Sequence, residues 1–356
     1  MARLAFWRLA QTVLAVWALA STVFLLSYRD PDLAVQLAMS DAAVMGGGPN
    51  TATPAGQRAA QQAIQQRLGL NLPLFYLGRR AAPGNGGGGW HWNGPTNQYH
   101  RWLTRLLHGS LGTSFRTGQP VTARLAEALA VTLPLTGTAA LLAVLAALVL
   151  AGRLASGPWW QRPVRAALVT LHAIPLFVVA LALLLALANP EVLAWFPAYG
   201  LDQYTDSELS SGSTLLSYLW HLVLPVATLV LAALPELTLQ LEAALVQELR
   251  TDYATTARAK GLSERAVIWR HALRNALLPS LAQLADLLPA LVAGAVVAEV
   301  VFALPGMGRL LAEAAAARDY PVLVGGVLLT GVARLLALLL VDLLYLWADP
   351  RIRWQS

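Results

Sequence analysis

The sequence predicts an all-α polytopic membrane protein with six membrane-spanning helices. Of its 356 residues, 57% are hydrophobic and 12% are charged, with a mean hydropathy of +0.55. A soluble domain carries about 25% charged residues, so the deficit is large. The apolar residues fall in repeated runs of about 20, the length that crosses a bilayer. Arginines collect in alternate loops, as they do on the cytoplasmic side of membrane proteins.

The first apolar run, Ala5–Leu26, follows Arg3 and Arg8. It is longer than the core of a signal peptide and long enough to cross a membrane. We therefore expect residues 1–28 to form an uncleaved first span whose N-terminus lies in the cytoplasm.

A core domain at residues 126–350 is expected to contain the other five spans. Each is a long apolar run bounded by polar or charged residues. These runs are Thr132–Ala151, Val164–Ala188, Tyr218–Leu239, Leu281–Phe302 and Val322–Trp347.

The loops between these spans differ in charge, and the difference sets the orientation. Arginines mark three parts of the chain as cytoplasmic: the loop between the second and third spans, the segment 241–279 and the tail 351–356. The loop 189–217 carries acidic residues and almost no basic ones, so we expect it outside. Six spans with both chain ends in the cytoplasm satisfy the charge rule at every short loop.

Residues 29–125 form a long polar segment rich in glycine and proline, which we place outside the membrane. Loops beyond about 60 residues are largely exempt from the charge rule, so the arginines of this segment do not contradict the placement. Its stretch Pro83–Pro95 predicts a mobile loop. For the nearby histidines and tryptophans, aromatic packing at the membrane surface is favoured over a metal site. These residues are His91, His100, His108, Trp90, Trp92 and Trp102.

Several absences argue against an enzyme. The chain has no cysteine, which excludes disulfides and thiolate sites. Its only lysine, Lys260, follows Ala259, whereas a phosphate-binding loop has glycine before the lysine. It contains neither an HExxH nor a GxSxG motif. The net charge of +6 is explained by cytoplasmic loops and does not require nucleic acid as a partner. We expect no catalytic residue, cofactor or metal in this chain.

The segment 241–279 is polar and basic between two apolar regions. Gly261 can take the left-handed conformation that ends a helix, and Ser263 can cap a following helix with Glu264 in its first turn. The sequence therefore predicts two helices that meet at a tight corner. Alanines at 254, 257 and 259 would let the first helix fit closely into a groove of a partner, which we favour over a solvated loop.

Charged and small residues within the last two spans form a second set of candidates. A charge at mid-bilayer costs about 3 kcal/mol on insertion scales, so it should face a partner or a water-filled path. We expect Arg334, near mid-span, to pair with Asp286 or to line the pathway, while helix packing without substrate contact is an equal alternative. Small residues around Gly294 suit a close helix interface or a gate. The pathway or interface candidates are Asp286, Gly294, Glu299 and Arg334.

The stretch ATTARAKGLSERAVIWRHALRNALLP, residues 254–279, resembles the cytoplasmic signature loop of ATP-binding-cassette (ABC) importer permeases. Further stretches follow in the order of the dipeptide, oligopeptide and nickel branch of these permeases, and resemble its first permease. They are LGLNLPLFY (68–76), GSLGTSFRTGQPV (109–121), HLVLPVATL (221–229), AEVVFALPGMGRLLAEAAAARDYPVL (298–323) and VDLLYLWADPRIR (341–353).

This resemblance implies the transmembrane-domain fold of type I ABC importers in the cell inner membrane. It implies a second homologous permease, two ABC ATPase subunits that bind ATP and magnesium, and an extracytoplasmic solute-binding protein. In such permeases a short helix around the signature glycine, here Gly261, sits in a cleft of the ATPase. The ATPase-coupling residues carried over are Thr255, Thr256, Ala257, Arg258, Ala259, Lys260, Gly261, Leu262, Ser263 and Glu264.

Two features depart from the family's pattern: an insertion at 78–96 and the turn Ser27–Pro31 after the first span. Di- and oligopeptides are the expected cargo, and nickel chelates or another peptide-like solute fit as well. An ion-coupled secondary transporter is an alternative of a different class, although it would need more spans or inverted repeats. A membrane-anchored enzyme that uses the outside histidines and tryptophans is a third.

Overall fold

A computed structural model describes residues 2–27, 62, 71–79, 89–157, 159–197 and 212–348. The predicted tail 351–356 and nearly all of residues 29–70 lie outside this part of the chain. The described part is mainly helical, with two short strands. In chain order the elements are α1 (Ala2–Ser27), β1 (Leu77–Arg79), β2 (Trp90–Trp92), α2 (Gln98–Leu107), α3 (Val121–Ala155), α4 (Gln161–Ala173), α5 (Leu176–Leu183), α6 (Gly212–Glu248), α7 (Asp252–Ala259), α8 (Glu264–Ala266), α9 (Leu273–Val301), α10 (Met307–Ala316) and α11 (Tyr320–Ala348). π-Helical turns follow α5 at Leu184–Ala188 and α8 at Val267–Ala272.

Within the described residues, four helices are long and apolar enough to cross a membrane. Their apolar parts are Phe6–Leu25, Val121–Ala155, Leu216–Glu248 and Tyr320–Leu339. A fifth is obtained if α4 and the helix after it form one span. In α9 the described apolar stretch is the shorter Pro289–Val301. Each of the six predicted runs is nevertheless mainly helical, with a break at Ile174 and Pro175 in the third.

The predicted span Val164–Ala188 is broken, because α4 and the helix beginning at Leu176 meet at an angle of 104°. Proline disfavours the helical conformation of the residue before it and has no N–H to donate. Ile174, before Pro175, is accordingly extended with φ −82° and ψ 126°, and α4 ends there. The Ile174-Pro175 pair could have predicted the break, but it lies inside a continuous apolar run that is long enough for one span.

The chain divides into two compact units, which are described separately. The larger consists of Met1–Leu14, Glu127–Ala312 and Val332–Ser356. Its main core lies between α3, α5, α6 and α9, where Leu135, Leu229 and Leu291 are buried. A second core joins the end of α6 to α7, to the π-helical turn and to the start of α9.

The other unit consists of Ala15–Ala126 and Glu313–Gly331. Its core is aromatic, with Phe24, Tyr99 and Trp102 buried together. Asp319, also buried, accepts hydrogen bonds from the Ser114 hydroxyl and from the Phe115 N–H.

The all-α prediction needs a correction in this smaller unit, since β1 and β2 pair in an antiparallel hairpin. Residues 89–95, predicted as part of a mobile loop, include the strand Trp90–Trp92. Aromatic residues favour strands, and strand β2 carries the two tryptophans Trp90 and Trp92. The middle of the predicted loop, residues 80–88, lies outside the described residues.

Candidate functional site

The corner at 252–264 has the geometry that its sequence predicts. α7 ends at Ala259, and Gly261 has a φ of +80°. The Gly261 N–H donates to the Arg258 carbonyl at 2.9 Å, and the Leu262 N–H donates to the Ala257 carbonyl at 3.3 Å. These two bonds form a Schellman motif, which satisfies carbonyls that a helix end leaves open. A Cβ at 261 would meet nothing within 4 Å, so the positive φ, and not a lack of space next to the backbone, favours glycine here.

The second half of the corner begins at Ser263. Its side-chain oxygen accepts a hydrogen bond from the Ala266 N–H, and Glu264 stands in the first turn, where a negative charge is favourable. The helix then widens into the π-helical turn Val267–Ala272 before α9 begins. Such turns insert one extra residue into a helix and occur frequently at functional sites.

Helix α7 buries one face against its own chain. Ala254 and Ala257 are buried with Leu245 and Leu249 at the end of α6 and with Ile268 of the π-helical turn. The small side chains therefore allow a close approach within this chain, which corrects part of the prediction that they fit a partner's groove. The face left exposed consists of Thr255, Thr256, Arg258, Ala259 and Lys260.

A bidentate salt bridge closes the corner. Arg258 Nε and Nη2 donate to the two carboxylate oxygens of Glu264 at 2.9 and 2.7 Å, and Arg258 Nη1 donates to the Leu249 carbonyl at 3.0 Å. One side chain thus connects the end of α6, α7 and the start of α8. Both residues belong to the predicted coupling set, but no local pattern in the sequence pairs Arg258 with Glu264.

The hydrogen bonds from Arg258 lower the pKa of the Glu264 carboxyl below its ordinary value. A carboxyl whose pKa is lower in the folded state stabilises that state above its unfolded pKa. This contribution is lost as the pH falls through the lowered pKa. The pair therefore contributes to stability at neutral pH, and this contribution is lost in acid.

The exposed surface beside the corner is basic. Lys260, Arg265, Arg270 and Arg274 are exposed, while the nearest exposed acid besides Glu264 is Asp252. Glu248 accepts a hydrogen bond from the Tyr253 hydroxyl at 2.5 Å. Burial, followed by this bond, raises the pKa of Tyr253, which stays a neutral donor at physiological pH. The corner presents an excess of positive charge to any partner.

A second polar cluster, which sequence reasoning missed, joins α4 to α6. The Glu242 carboxylate is buried and accepts hydrogen bonds from Arg165 Nη2 at 2.5 Å, Arg165 Nε at 3.3 Å and Gln161 Nε2 at 3.0 Å. A buried carboxylate is stable only if it is paired in this way. Glu242 lies about two turns before the end of α6, so this cluster connects the bent helix pair to the helix that leads into the corner.

Glu299, one of the predicted pathway candidates, is fully buried. Its carboxylate accepts hydrogen bonds from the Thr132 hydroxyl at 2.6 Å, from the Gly308 N–H at 2.6 Å and from the Arg309 N–H at 3.1 Å. The Met307 N–H donates to the same Thr132 oxygen at 2.8 Å. The carboxylate thus caps the N-terminus of α10, where helix N–H groups lack partners and negative charge is favoured.

Two glycines make this cap possible. A Cβ at Gly306 would overlap the Glu299 carboxylate, and a Cβ at Gly308 would overlap the backbone of Val296. The described contacts give Glu299 a structural role within the chain, and its contact with a translocation pathway stays a prediction.

The other three pathway candidates are placed differently. Gly294 lies where α9 approaches Leu229 of α6, and a Cβ there would stand 3.2 Å from that leucine. Asp286 and Arg334 are both exposed in the single chain. The structure records no hydrogen bond between them, and their pairing stays a prediction. Among the described residues, no three His, Asp or Glu side chains form a group that could hold a metal ion.

The sequence of this chain is similar to those of known proteins. The chain is 34% identical over 319 residues to the "Probable D,D-dipeptide transport system permease protein DdpB" of Escherichia coli, which covers 84% of this chain and 86% of the relative. It is 32% identical to the "Dipeptide transport system permease protein DppB" of Alkalihalophilus pseudofirmus, with 84% and 88% covered. It is 33% identical to the "Oligopeptide transport system permease protein AppB" of Bacillus subtilis, with 72% and 80% covered.

The region that matches a family model includes the corner, the cluster around Glu242, the Glu299 carboxylate with Gly308 and Arg309, and the last helix, but not Thr132. Residues 139–354 match the family described as "Binding-protein-dependent transport system inner membrane component". These matches and the apolar helices make the chain a permease subunit of the inner membrane, and it belongs to the family of binding-protein-dependent transport system inner membrane components.

Proposed function

We propose that this chain is one of two membrane subunits of an ATP-driven peptide importer. It crosses the membrane six times with both ends in the cytoplasm, and it forms the translocation pathway with a second, homologous permease. Two ABC ATPases dock from the cytoplasm, and a solute-binding protein delivers the cargo from outside. The observation that carries the proposal is the corner at 252–264, an exposed and internally braced helix end at the tip of α6.

The contacts of the corner connect α7 rigidly to α6, so that the two helices would move together. Ala254 and Ala257 bury α7 against α6, and Arg258 joins the last turn of α6 to Glu264. Because side chains packed at interior density do not compress, a displacement of α7 moves α6 and the start of α9 with it. When ATP closes the two ATPases, a corner held in their clefts would swing these spans and change which side of the membrane the pathway faces.

We propose that the chemistry of ATP takes place entirely on the partners. The chain has one lysine, and the residue before it is Ala259, so a phosphate-binding loop of the usual kind is not encoded. In this proposal ATP and magnesium bind to the ATPase subunits. The permease itself is non-catalytic and binds neither cofactor nor metal.

Peptides are the proposed cargo because the relatives are named for dipeptide, D,D-dipeptide and oligopeptide transport. Nickel chelates and other peptide-like solutes remain candidates for the same pathway. Uptake of labelled di- and oligopeptides by liposomes containing the assembled transporter, with nickel chelates as competitors, would identify the cargo.

Replacing Gly261 with tryptophan tests the docking surface. Gly261→Trp adds a large side chain to an exposed position with nothing of this chain within 4 Å. We expect the variant to insert normally and to lose co-purification with the ATPases and ATP-driven uptake.

Gly109→Trp is the matched control. Gly109 has a φ of +76°, close to that of Gly261, and a Cβ there also meets nothing within 4 Å, but in the proposed topology it lies outside. The two substitutions therefore impose a similar backbone strain. Full assembly and uptake with Gly261→Trp would contradict the proposal, as would equal losses in both variants. If assembly persisted without ATP dependence, an ion-coupled transporter would be favoured instead.

A further inference from the structure

We infer that the hairpin β1–β2 is a membrane anchor, whose Trp90 and Trp92 insert into the headgroup layer of the outer leaflet. The hairpin belongs to the insertion at 78–96, which departs from the pattern of related permeases. Nothing in the proposed transport cycle accounts for it. The described residues of the hairpin show that one of its faces exposes large apolar side chains.

One face of the hairpin carries three large apolar side chains. Leu77 pairs with Trp92 across the strands, and Trp90 lies two residues before Trp92. Because directly opposed residues and residues two apart share a face, all three project to the same side. Their exposed fractions are 51% for Leu77, 79% for Trp90 and 63% for Trp92. His91, which projects to the opposite face, is also exposed.

The hairpin is fastened to the end of a membrane span by a chain of ring contacts. Trp92 stacks on Tyr76 with centroids 5.5 Å apart, and Tyr76 contacts Tyr99 at 5.9 Å. Tyr99 in turn contacts Phe24 at 5.2 Å and shares a hydrogen bond of 2.7 Å with Ser21. Phe24 is the last residue but one of the apolar part of α1.

Hydrogen bonds to backbone carbonyls of residues 74–76 also hold the base of the hairpin. The Asn93 N–H donates to the Tyr76 carbonyl at 2.7 Å, and the Asn93 side chain donates to the Phe75 carbonyl at 2.9 Å. The Tyr99 N–H, in the first turn of α2, donates to the Leu74 carbonyl at 3.2 Å. The strand that carries the exposed tryptophans is therefore tied, through Tyr76 and Tyr99, to the end of α1.

Lipid is the occupant that these exposures favour. Towards Leu25, α1 exposes Trp17 and Leu25 at 49% and 43%, so both α1 and the hairpin tied to it present large apolar side chains to their surroundings. Tryptophan is enriched at the boundary between lipid and water, where its ring is buried and its N–H still finds a partner. The open edges of a two-stranded sheet cannot enter the hydrocarbon, so the strands stay in the headgroup layer and only the side chains reach inward.

The absence of cysteine allows a direct test, because an introduced cysteine is the only site for a spin label in this chain, which is labelled before it is combined with its partners. Leu77→Cys places a label on the apolar face, and His91→Cys places one on the opposite face of the same hairpin. The assembled transporter would be reconstituted in liposomes of phosphatidylethanolamine and phosphatidylglycerol without a solute-binding protein. The measurement is the collision rate of each label with oxygen, which partitions into lipid, and with a water-soluble nickel complex.

We expect the ratio of nickel to oxygen collisions to be several-fold lower at 77 than at 91. In the Leu77→Cys background, Trp90→Ser should raise the ratio at 77, whereas His91→Ser should leave it unchanged. Co-purification with the partner permease confirms that each variant has folded.

Two results would overturn the anchor. Equal access of the nickel complex to both labels would place the apolar face in water. Protection of the label at 77 only after the solute-binding protein is added would make the face a protein-docking surface. Neither result would affect the proposed coupling at Gly261, which lies in the other unit and is read out by ATPase binding.

Discussion

At the scale of single residues, the buried carboxylate of Glu299 shows how an intramembrane charge is accommodated. The insertion cost of such a group explains why it must find partners, and the structure supplies a hydroxyl and two backbone N–H groups. The sequence pointed to Glu299 because it is a charge in an apolar run. Its partners lie nine, ten and 167 residues away, so only folding could identify them.

Removing this carboxylate should destabilise the subunit strongly. Glu299→Ala leaves the Thr132 hydroxyl and the N–H groups of Gly308 and Arg309 without their acceptor. Each unsatisfied buried group costs about 1–3 kcal/mol, so we expect a loss of roughly 3 kcal/mol or more. The melting temperature of the detergent-purified protein would measure it.

Two further variants show whether the hydrogen bonds are responsible. Glu299→Gln keeps an oxygen acceptor and should give an intermediate loss. Glu127→Ala removes an exposed carboxylate from α3 and should leave the melting temperature nearly unchanged. Equal melting temperatures for Glu299→Ala and Glu127→Ala would rule out the capping role of Glu299.

At the scale of elements, the salt bridge of Arg258 and Glu264 fixes the angle between two helices. Exposed pairs contribute only about 0.2–1 kcal/mol, so its effect on stability is small. Its position matters more, because Arg258 also binds the Leu249 carbonyl at the end of α6. We therefore expect loss of the salt bridge to weaken the connection between α6 and the corner more than it lowers the stability of the fold.

Charge reversal tests that connection. Arg258→Glu places two carboxylates together, opens the corner, and should lower the number of solute molecules transported per ATP several-fold while the melting temperature barely changes. Glu264→Arg on its own should act likewise. The double variant Arg258→Glu, Glu264→Arg should recover part of the coupling, since the ion pair is restored but the bond to Leu249 is not.

Arg265→Glu serves as the control for net charge, because Arg265 is exposed beside the corner and lies outside the salt bridge. The number of solute molecules transported per ATP, measured in liposomes, should fall less for this variant than for Arg258→Glu. A similar fall in both would mean that the surface charge matters and the geometry of the corner does not.

At the scale of the whole molecule, the number of spans depends on the bent pair formed by α4 and the helix after it. If the pair is one broken span, its two ends lie on opposite sides of the membrane. If it is a re-entrant loop, they lie on the same side. The charge rule favours the first arrangement, because Arg153 precedes α4, Arg162 and Arg165 lie in its first half, and the acidic loop follows the pair.

Two exposed tryptophans at the ends of the pair distinguish these arrangements. Trp159 is 91% exposed before α4 and Trp195 is 62% exposed after the π-helical turn. In intact cells we expect a membrane-impermeant maleimide to label Trp195→Cys and to leave Trp159→Cys unmodified until the membrane is permeabilised. Labelling of both residues, or of neither, from outside would make the pair re-entrant and reduce the span count by one.

Much of the architecture follows from local signals in the sequence. Apolar runs predict the helices because a spanning segment must be about 20 residues long and bury its backbone polar groups in its own hydrogen bonds. The corner was predictable for a similar reason, since Gly261 and Ser263 act on backbone groups only a few residues away. The hairpin escaped prediction because its strands are three residues long and separated by a glycine-rich stretch.

The sequence by itself therefore determined a membrane permease with two helices that meet at a tight corner, because hydropathy, helix ends and a long family motif can all be recognised within one stretch of chain. Only the tertiary structure decided which side chains meet. Arg165 and Glu242 are 77 residues apart, and Thr132 and Glu299 are 167 apart. Such pairs depend on how helices lie against one another, which no short stretch of sequence specifies. The same holds for α7, where packing against α6 decided that Ala254 and Ala257 face inward while Thr255, Thr256 and Lys260 stay exposed.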